Sequence, residues 1–412
     1  MRVTITILCI VLCLFLIQAS ARFGFSRMLS RYAVATNSIP AANQAVQLTP
    51  SDPDAHRSRA AILNRMQRPS DAAQSLDHAV ALRYRDDFLW IDLGNTREEL
   101  GDTDGALAAL DESVRWAPHY AHTHWQRGNL LLRMRRPVDA LAELRQASTA
   151  NPAYTPNLID LAWGISNGDI KTTEAALEIK DDTTRLALIR LLAQKGKGRE
   201  AVDQINSLTT HLSVEKEIEI ARLLLAAKAY REAFDLLRVA SNNTSPGLIN
   251  AGFEQPIAFN ETTFGWVIAA DQKSRAAIDV SEKFNGARSL QINFDGTWAP
   301  GAPLLSQTIL VDPGKTYRLS FAVRTKDLVT GGPPAILVID ANDNQLLGRP
   351  ENLPTATTPW QTLNLNFSTS ATSQAAIIRL VRNNCDSSPC PIFGTLWLDE
   401  FHIEQTEPTS PR

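Results

Sequence analysis

The chain has 412 residues, of which 44% are hydrophobic and 21% are charged. This composition suits two or three ordinary globular domains. The formal net charge is −3 at pH 7, so nothing in it favours nucleic acid or an anionic membrane surface as a partner.

An uncharged apolar run covers residues 3–17, after Arg2 and before Ala19-Ser20-Ala21. A basic start, an apolar stretch and an A-x-A site are typical of a secretory signal. The run is shorter than the roughly 20 residues of a membrane span. Arginines beyond the run would lie on the outer side of an anchor, against the positive-inside trend. We therefore predict a signal peptide at residues 1–21, in preference to a retained membrane anchor.

Either interpretation exports the rest of the chain, so we expect it in the periplasm or cell envelope, or secreted. Contact with a membrane is expected only through the N-terminal segment, if that segment is not cleaved. Beyond the apolar run the only cysteines are Cys385 and Cys390. In an oxidising compartment they are predicted to form a local disulfide.

A 34-residue period runs from about residue 54 to residue 152. The residues that recur in register are Ala60, Gly94 and Gly128, then Ala72, Ala106 and Ala140, and then Leu76, Leu110 and Leu144. Small residues at fixed positions of this period indicate a hairpin of two closely crossing helices. The pattern, best seen in Trp90-x-x-Leu93-Gly94, resembles the tetratricopeptide repeat. The resemblance and weaker later copies predict a helical array over residues 38–242, with five or six hairpins.

The resemblance also implies a concave groove that grips an extended segment of a protein partner. The positions of this chain that match the groove include Phe88, Asn95, Trp125, Asn129 and Arg133. Asn95 and Asn129 lie one repeat apart and are candidates to bind a ligand backbone in step. Helix packing is an equally good interpretation of both.

The period changes after residues 242–247, whose Asn, Ser, Pro and Gly content indicates a linker at 243–247. The array is therefore expected to fold without the C-terminal part of the chain. Alternation of apolar and polar residues, as in 317–324, then predicts many short strands and a β-sandwich over 248–405. Residues 406–412 are predicted to be a disordered tail. The predicted fold class is multidomain α + β, with a tetratricopeptide-type superhelix followed by an all-β jelly roll.

Motifs in the second part resemble a further family. Asn250-Ala251-Gly252-Phe253-Glu254 opens it, Gly265-Trp266 comes next, and Trp397-Leu398-Asp399 ends it. These motifs resemble the jelly-roll carbohydrate-binding modules of secreted glycoside hydrolases. The resemblance implies a polysaccharide as a possible ligand. A tetratricopeptide array fused to such a module also resembles envelope proteins of bacterial exopolysaccharide systems.

The best candidate for sugar stacking is Trp298, because its Gly- and Pro-rich loop, 295–301, predicts an exposed turn. Gln307, Arg324 and Arg382 are candidate polar partners, for which solvated strand faces are the alternative interpretation. Tryptophans at the motif positions are predicted to be core residues. These are Trp266, Trp360 and Trp397.

In the resembled modules a structural calcium ion ties the first strand to the last, and Glu254 and Asp399 occupy the matching positions. Two carboxylates do not fill the six to eight oxygen positions around calcium. The alternative is a turn cap and an ordinary hydrogen bond. No other cofactor is expected.

We interpret the chain as a non-enzymatic exported scaffold. Its repeats would dock a protein partner and its sandwich would bind glycan, in polysaccharide assembly or export. One alternative is a carbohydrate-active enzyme or an accessory subunit of one, but the repeats and the sandwich leave no obvious catalytic domain. The other alternative is a purely structural adhesion protein.

Overall fold

A computed structural model describes residues 2–241, 247–257, 264–269, 275–386 and 388–406. In these residues a helical part is followed by two antiparallel β-sheets, which confirms the predicted fold class. Most of the predicted linker at 243–247, and all of the predicted tail except Thr406, lie outside the described residues.

The described helical part contains 14 α-helices, most of which pack as consecutive pairs. They are α1 (Arg2–Thr36), α2 (Ile39–Leu48), α3 (Pro53–Arg65), α4 (Pro69–Leu82), α5 (Asp87–Glu99), α6 (Thr103–Trp116), α7 (Ala121–Arg133), α8 (Pro137–Ala150), α9 (Thr155–Ile165), α10 (Ile170–Leu177), α11 (Asp182–Gln194), α12 (Gly198–Asn206), α13 (Val214–Ala226) and α14 (Tyr230–Ser241). In the pairs α3–α4, α5–α6 and α7–α8 we call the first helix A and the second helix B.

The small residues of the period mark the place where helix A and helix B touch. A Cβ atom on Gly94 would lie 2.9 Å from Leu110 Cγ, and one on Gly128 would lie 2.8 Å from Leu144 Cγ. Both distances are too short for carbon atoms that are not bonded to each other. Glycine is therefore required by the close approach of a helix B leucine, as the periodic pattern predicts.

A second contact recurs at the start of each helix A. The ring nitrogen of His56 contacts Pro50 O at 2.8 Å, Trp90 Nε1 donates to Tyr84 O at 2.7 Å, and His124 Nε2 contacts Pro118 O at 2.8 Å. Each carbonyl lies six residues before the ring. The contact ties each helix A to the turn that follows the previous hairpin.

His124 has hydrogen-bond acceptors at both ring nitrogens. Besides Pro118 O, Glu143 Oε2 lies 2.7 Å from Nδ1, so only the doubly protonated ring donates to both. The bond to Glu143 raises the pKa of His124 above its ordinary value of 6.5. Burial would raise the pKa of Glu143, but His124 and Arg127 together lower it.

We predict that α7 and α8 lose stability as pH rises through the raised pKa of His124. A pKa that is higher in the folded state adds stability that is fully present below the unfolded value of about 6.5 and is lost above the folded value. His124→Gln should therefore lower the local unfolding free energy by about 1–3 kcal/mol at about pH 6, and by less in alkaline solution. Native-state hydrogen exchange of the α7 and α8 amides, corrected for intrinsic rates, measures this difference.

His56→Gln is the matched control. His56 makes the same carbonyl contact, but its Nδ1 has no hydrogen-bond partner among the described residues. The local effect of this variant on α3 and α4 should not depend on pH in the same way. Equal pH dependence of the two variants would contradict the role of Glu143.

The described strands form two five-stranded sheets. They are β1 (Val267–Ile268), β2 (Ala276–Asp279), β3 (Ser289–Asp295), β4 (Leu305–Leu310), β5 (Thr316–Thr330), β6 (Pro334–Asp340), β7 (Glu351–Asn352), β8 (Ala356–Ser368), β9 (Ala375–Arg382) and β10 (Ile392–Thr406). The first sheet has the order β1-β4-β9-β6-β7 and the second has the order β2-β3-β10-β5-β8, with all pairs antiparallel. Side chains from both sheets meet in one core, which includes Leu319, Phe321, Ile378 and Leu396.

The last helices group with the sandwich. By internal contacts the chain divides into residues 1–187, the N-terminal unit, and residues 188–412, the C-terminal unit. Within the C-terminal unit Phe234 packs edge to face on Phe264 with ring centroids 5.0 Å apart. The Tyr230 hydroxyl donates to Ala341 O at 2.8 Å. The predicted linker at 243–247 lies after α14. The last helices nevertheless group with the sandwich, because side chains of α14 contact segments that connect strands.

Tyr230→Phe tests this bridge. Removal of the hydroxyl should lower the free energy that protects α13 and α14 amides from exchange by about 0.5–1.5 kcal/mol, with no change in α3 to α8. Tyr32→Phe, at an exposed tyrosine of α1, is the control. Unchanged protection of α13 and α14 in Tyr230→Phe would show that the helices do not depend on the sandwich.

Candidate functional site

Trp298 does not form an exposed platform. Its side chain is only 1% exposed. The ring stacks on Phe294 with centroids 5.4 Å apart and planes 5° from parallel, and its N–H donates to Ala302 O at 3.1 Å. The prediction of an exposed ring is therefore wrong, because the loop turns back and places the ring in the sandwich core.

Two of the predicted polar partners are buried as well. Arg382 donates to Trp298 O at 2.6 Å and to Pro391 O at 2.7 Å, and burial lowers its pKa. Gln307 Nε2 donates to Ile249 O at 2.8 Å. Both side chains are 1% exposed, so they bind protein carbonyls and are closed to a ligand.

The predicted disulfide is present, with the Cα atoms of Cys385 and Cys390 5.9 Å apart. It lines an open cleft of about 680 Å³ whose other wall is residues 296–300. The cleft opens where the sequence predicted the glycan site. Its described lining carries no exposed aromatic ring, since Trp298 is buried there.

Aromatic side chains instead meet on the outer face of the second sheet. Phe284, from the segment between β2 and β3, lies 5.9 Å from the Trp360 ring of β8, between centroids. Phe284 is 44% exposed and Trp360 is half-buried. The Arg324 guanidinium lies 5.6 Å from the ring centroid of Trp397 and pairs with Glu282. We call Phe284, Trp360, Trp397 and Arg324 the aromatic face.

A chain of polar side chains crosses the same face. Thr395 donates to Asn293 at 3.0 Å, Asn293 to Gln291 at 3.2 Å, and Gln291 to Asp279 at 3.2 Å. The Trp397 indole donates to the same Asp279 oxygen at 2.9 Å. Burial would raise the pKa of Asp279, but its hydrogen bonds, including those from Ser281 and Trp397, lower it to about 2. The carboxylate is therefore ionised and fixes the orientation of its donors.

The alternation of inward and outward residues along the strands is enough to predict the aromatic face. In β10 the core residues Leu396 and Leu398 flank Trp397, and in β8 Leu363 and Leu365 have the opposite parity to Trp360. Parity thus places both tryptophans on the outer side. The prediction that Trp360 is a core residue is wrong, whereas Trp397 is buried under Arg324. Trp266 is core, as predicted, and stacks on Phe253.

Two carboxylates hold the segment that carries Phe284. Asp399 Oδ2 accepts the backbone N–H groups of Phe284 at 2.9 Å and Asn285 at 3.2 Å. Glu254 Oε1 accepts that of Ala287 at 2.8 Å. Burial raises the pKa of Asp399, although these backbone bonds lower it. The pair therefore joins the beginning and the end of the sandwich, as the resemblance implies, through hydrogen bonds.

These residues do not fit a calcium ion as they are arranged. Calcium takes six to eight oxygen ligands, whereas the Asp399 and Glu254 oxygens named above face N–H donors. No group of three or more His, Cys, Asp or Glu side chains with metal-binding geometry occurs within the described residues.

We predict that Asp399→Asn destabilises the sandwich by about 1–3 kcal/mol. Backbone N–H groups face both oxygens of Asp399, those of Phe284 and Asn285 at Oδ2 and that of Glu400 at Oδ1, whereas an amide has a single acceptor oxygen. Thermal unfolding followed by tryptophan fluorescence measures the loss, with Glu404→Gln on the same strand as control. Calcium and a chelator should give the wild-type protein the same midpoint. If calcium raises the midpoint of the wild type and not that of Asp399→Asn, the result would instead support a calcium site at Asp399.

The predicted groove positions lie among other aromatic residues of the N-terminal unit. Phe88 contacts Tyr120 edge to face with centroids 5.6 Å apart, and the Arg57 guanidinium lies 5.9 Å from the Phe88 ring. Trp125 stacks on Tyr154 at 4.7 Å. Phe88 and Tyr120 are each more than two-fifths exposed. We call Phe88, Tyr120, Trp125 and Tyr154 the aromatic row.

Two of the three polar groove positions, Asn129 and Arg133, form hydrogen bonds within the protein itself. Asn129 Nδ2 donates to Trp125 O, in its own helix, at 2.9 Å, and Arg133 pairs with Glu98 of α5, with Nη2 2.7 Å from Oε2. Asn95 is half-buried on α5. The bond within α7 favours the helix-packing interpretation of Asn129.

Comparison with known proteins finds a family that is similar to most of the sandwich. Residues 245–386 match the family model CBM_4_9, described as a carbohydrate binding domain. Residues 245–386 are therefore similar to carbohydrate binding domains of this family. The predicted resemblance is thereby confirmed for the sandwich. No curated protein matches the chain.

Solved structures are similar to parts of the chain. "Crystal structure of MamA" is 19% identical and covers 34% of this chain and 85% of its own, with a TM-score of 0.30. "Functional Characterization of Pseudomonas Aeruginosa pilF" is 19% identical and covers 52% and 97%, with a TM-score of 0.34. "CBM4 structure and function" is 16% identical and covers 39% and 99%, with a TM-score of 0.30.

The chain joins a helical region with a 34-residue period to a sandwich whose residues 245–386 match a carbohydrate binding domain. The match supports glycan binding by the sandwich.

Proposed function

We propose that the protein is a non-enzymatic exported scaffold that binds a polysaccharide on the aromatic face and a protein partner on the aromatic row. It would act in the assembly or export of that polysaccharide. The observation that carries the glycan part is the pair of exposed Phe284 and half-buried Trp360 beside a polar network.

The chemistry of this face suits a sugar chain. The faces of pyranose rings are apolar and pack on aromatic rings, while their hydroxyl groups need donors and acceptors placed in fixed positions. Trp360 and Phe284 supply the rings. Asn293, Gln291 and Thr395 supply amide and hydroxyl groups that are already oriented by each other and by Asp279.

The face is also preorganised. Its polar groups lie on β-strands, and Phe284 lies on a segment that Asp399 and Glu254 hold by backbone hydrogen bonds. Because little side-chain freedom remains to be lost, binding costs less conformational entropy than on a mobile loop.

Substitution of Phe284 and Trp360 tests the glycan site. Trp360→Ala and Phe284→Ala should each weaken binding by about 1–3 kcal/mol, roughly 5- to 150-fold, without changing the unfolding midpoint by more than a surface substitution does. The measurement is affinity electrophoresis of the full chain through gels that contain a soluble β-glucan, a xylan, a galactan or an anionic alginate.

Tyr84→Ala is the matched control, since Tyr84 is a half-exposed aromatic residue of the N-terminal unit, outside the sandwich. Retardation of the wild type that persists unchanged in both Trp360→Ala and Phe284→Ala would move the site elsewhere. If none of the polysaccharides retards the wild type, the result favours a purely structural adhesion protein over a glycan-binding protein.

The protein-binding part rests on the aromatic row. Aromatic residues are enriched at the centres of protein interfaces, where they bury large areas with few rotatable bonds. Phe88 and Tyr120 expose such area from α5 and from the turn before α7. The partner that this favours presents apolar side chains, because the charge of Arg133 is neutralised by Glu98.

A further inference from the structure

Between Ile10 and Gln18, α1 exposes its apolar side chains on all sides. Every described residue from Ile10 to Gln18 is exposed, and the large apolar ones among them are each more than half exposed. Phe23 and Phe25 continue this surface. Residues Ile10–Thr36 form a helix that is long and apolar enough to cross a membrane, and an 18-residue window of it has a mean hydropathy of 1.4. So much exposed apolar surface is unfavourable in water.

The second part of α1 belongs to the helical repeat. Ser26 lies 34 residues before Ala60, in the small-residue position that Gly94 and Gly128 also occupy. Ser26 is fully buried, and its hydroxyl donates to Ala45 O of α2 at 2.9 Å. Residues 22–36 are therefore helix A of a first hairpin whose helix B is α2.

This register places the A-x-A motif inside a helix A. The next three A helices begin at residues 53, 87 and 121, and the same spacing of 34 puts the equivalent start at residue 19. Cleavage after Ala21 would remove the first turn of this helix. In the structure α1 passes through residues 19–21 without a break.

Two of the arginines after the apolar run, Arg22 and Arg27, have partners within the repeat. Arg22 donates to Leu48 O at 3.0 Å, and Arg27 lies 3.6 Å from Asp52 and 3.7 Å from Asp54. Arg27 is thus neutralised by carboxylates of the next hairpin. The positive-inside trend concerns charges that face the membrane surface, so these arginines no longer argue against an anchor.

We propose that residues 2–21 stay on the protein and lie in the hydrocarbon core of a lipid bilayer, so that the membrane anchor and the first repeat helix are one continuous helix. The uncharged stretch from Val3 to Ala21 is about 28 Å long at 1.5 Å per residue, which is close to the thickness of a hydrocarbon core of about 30 Å. This inference revises our preference for a cleaved signal and does not depend on the glycan site.

The test compares the wild-type chain with Ala19→Leu/Ala21→Leu, in which the A-x-A motif is destroyed. Each is produced at full length with a C-terminal tag in a bacterial envelope, purified from the fraction where it resides, and weighed by intact-mass spectrometry. Membranes are also washed with alkaline carbonate, which releases proteins that are not embedded in lipid. The expected result is two uncleaved chains that both stay in the carbonate-washed membranes.

Two results would overturn the proposal. In the first, the wild type loses its N-terminal segment and becomes soluble while the double variant stays in the membrane, which is the behaviour of a signal peptide. In the second, the chain keeps its N-terminus but the carbonate wash releases it. The apolar surface would then be covered by protein, such as a second copy of α1.

Discussion

One buried cation organises the loop end of the sandwich. The guanidinium of Arg382 is almost fully enclosed and forms no ion pair in the part of the chain that the structure describes. It donates instead to oxygens of Trp298, Thr330, Gly332 and Pro391. Removal of a charge from water costs several kcal/mol per ion unless hydrogen bonds replace the lost water. The three segments that supply these oxygens are therefore fixed around one side chain.

This constraint lies at the predicted glycan site. Arg382 binds the Trp298 carbonyl, and the Trp298 ring stacks on Phe294 in the core, so the loop end lacks the predicted tryptophan platform. Exposed aromatic area remains on the outer face of the second sheet. On that face the carboxylates of Asp399 and Glu254 accept hydrogen bonds from backbone N–H groups of the segment that carries Phe284. They fix this segment as the Arg382 cation fixes the loop end.

The helical units are held by contacts that recur with the period of the repeat. A leucine of helix B fills the space left by a glycine, and a ring N–H binds a carbonyl six residues earlier. Each contact is local, so the array can extend at both ends by the same rule. At the N-terminal end the repeat includes the second part of α1, and the first part of that helix is apolar and exposed. At the other end α14 departs from this rule and packs its Phe234 against the sandwich.

The sequence by itself determined the repeat, the strand class and the disulfide. These depend on periodicity and on spacing along the chain, as in Gly94 and Gly128 or in Cys385 and Cys390, and such signals are local. It also contained the outward parity of Trp360, although its motif position suggested the core. Only the tertiary structure decided that the side chains of Trp298 and Arg382 are buried. Their directions depend on which carbonyl groups distant segments bring together, and no local pattern encodes that geometry.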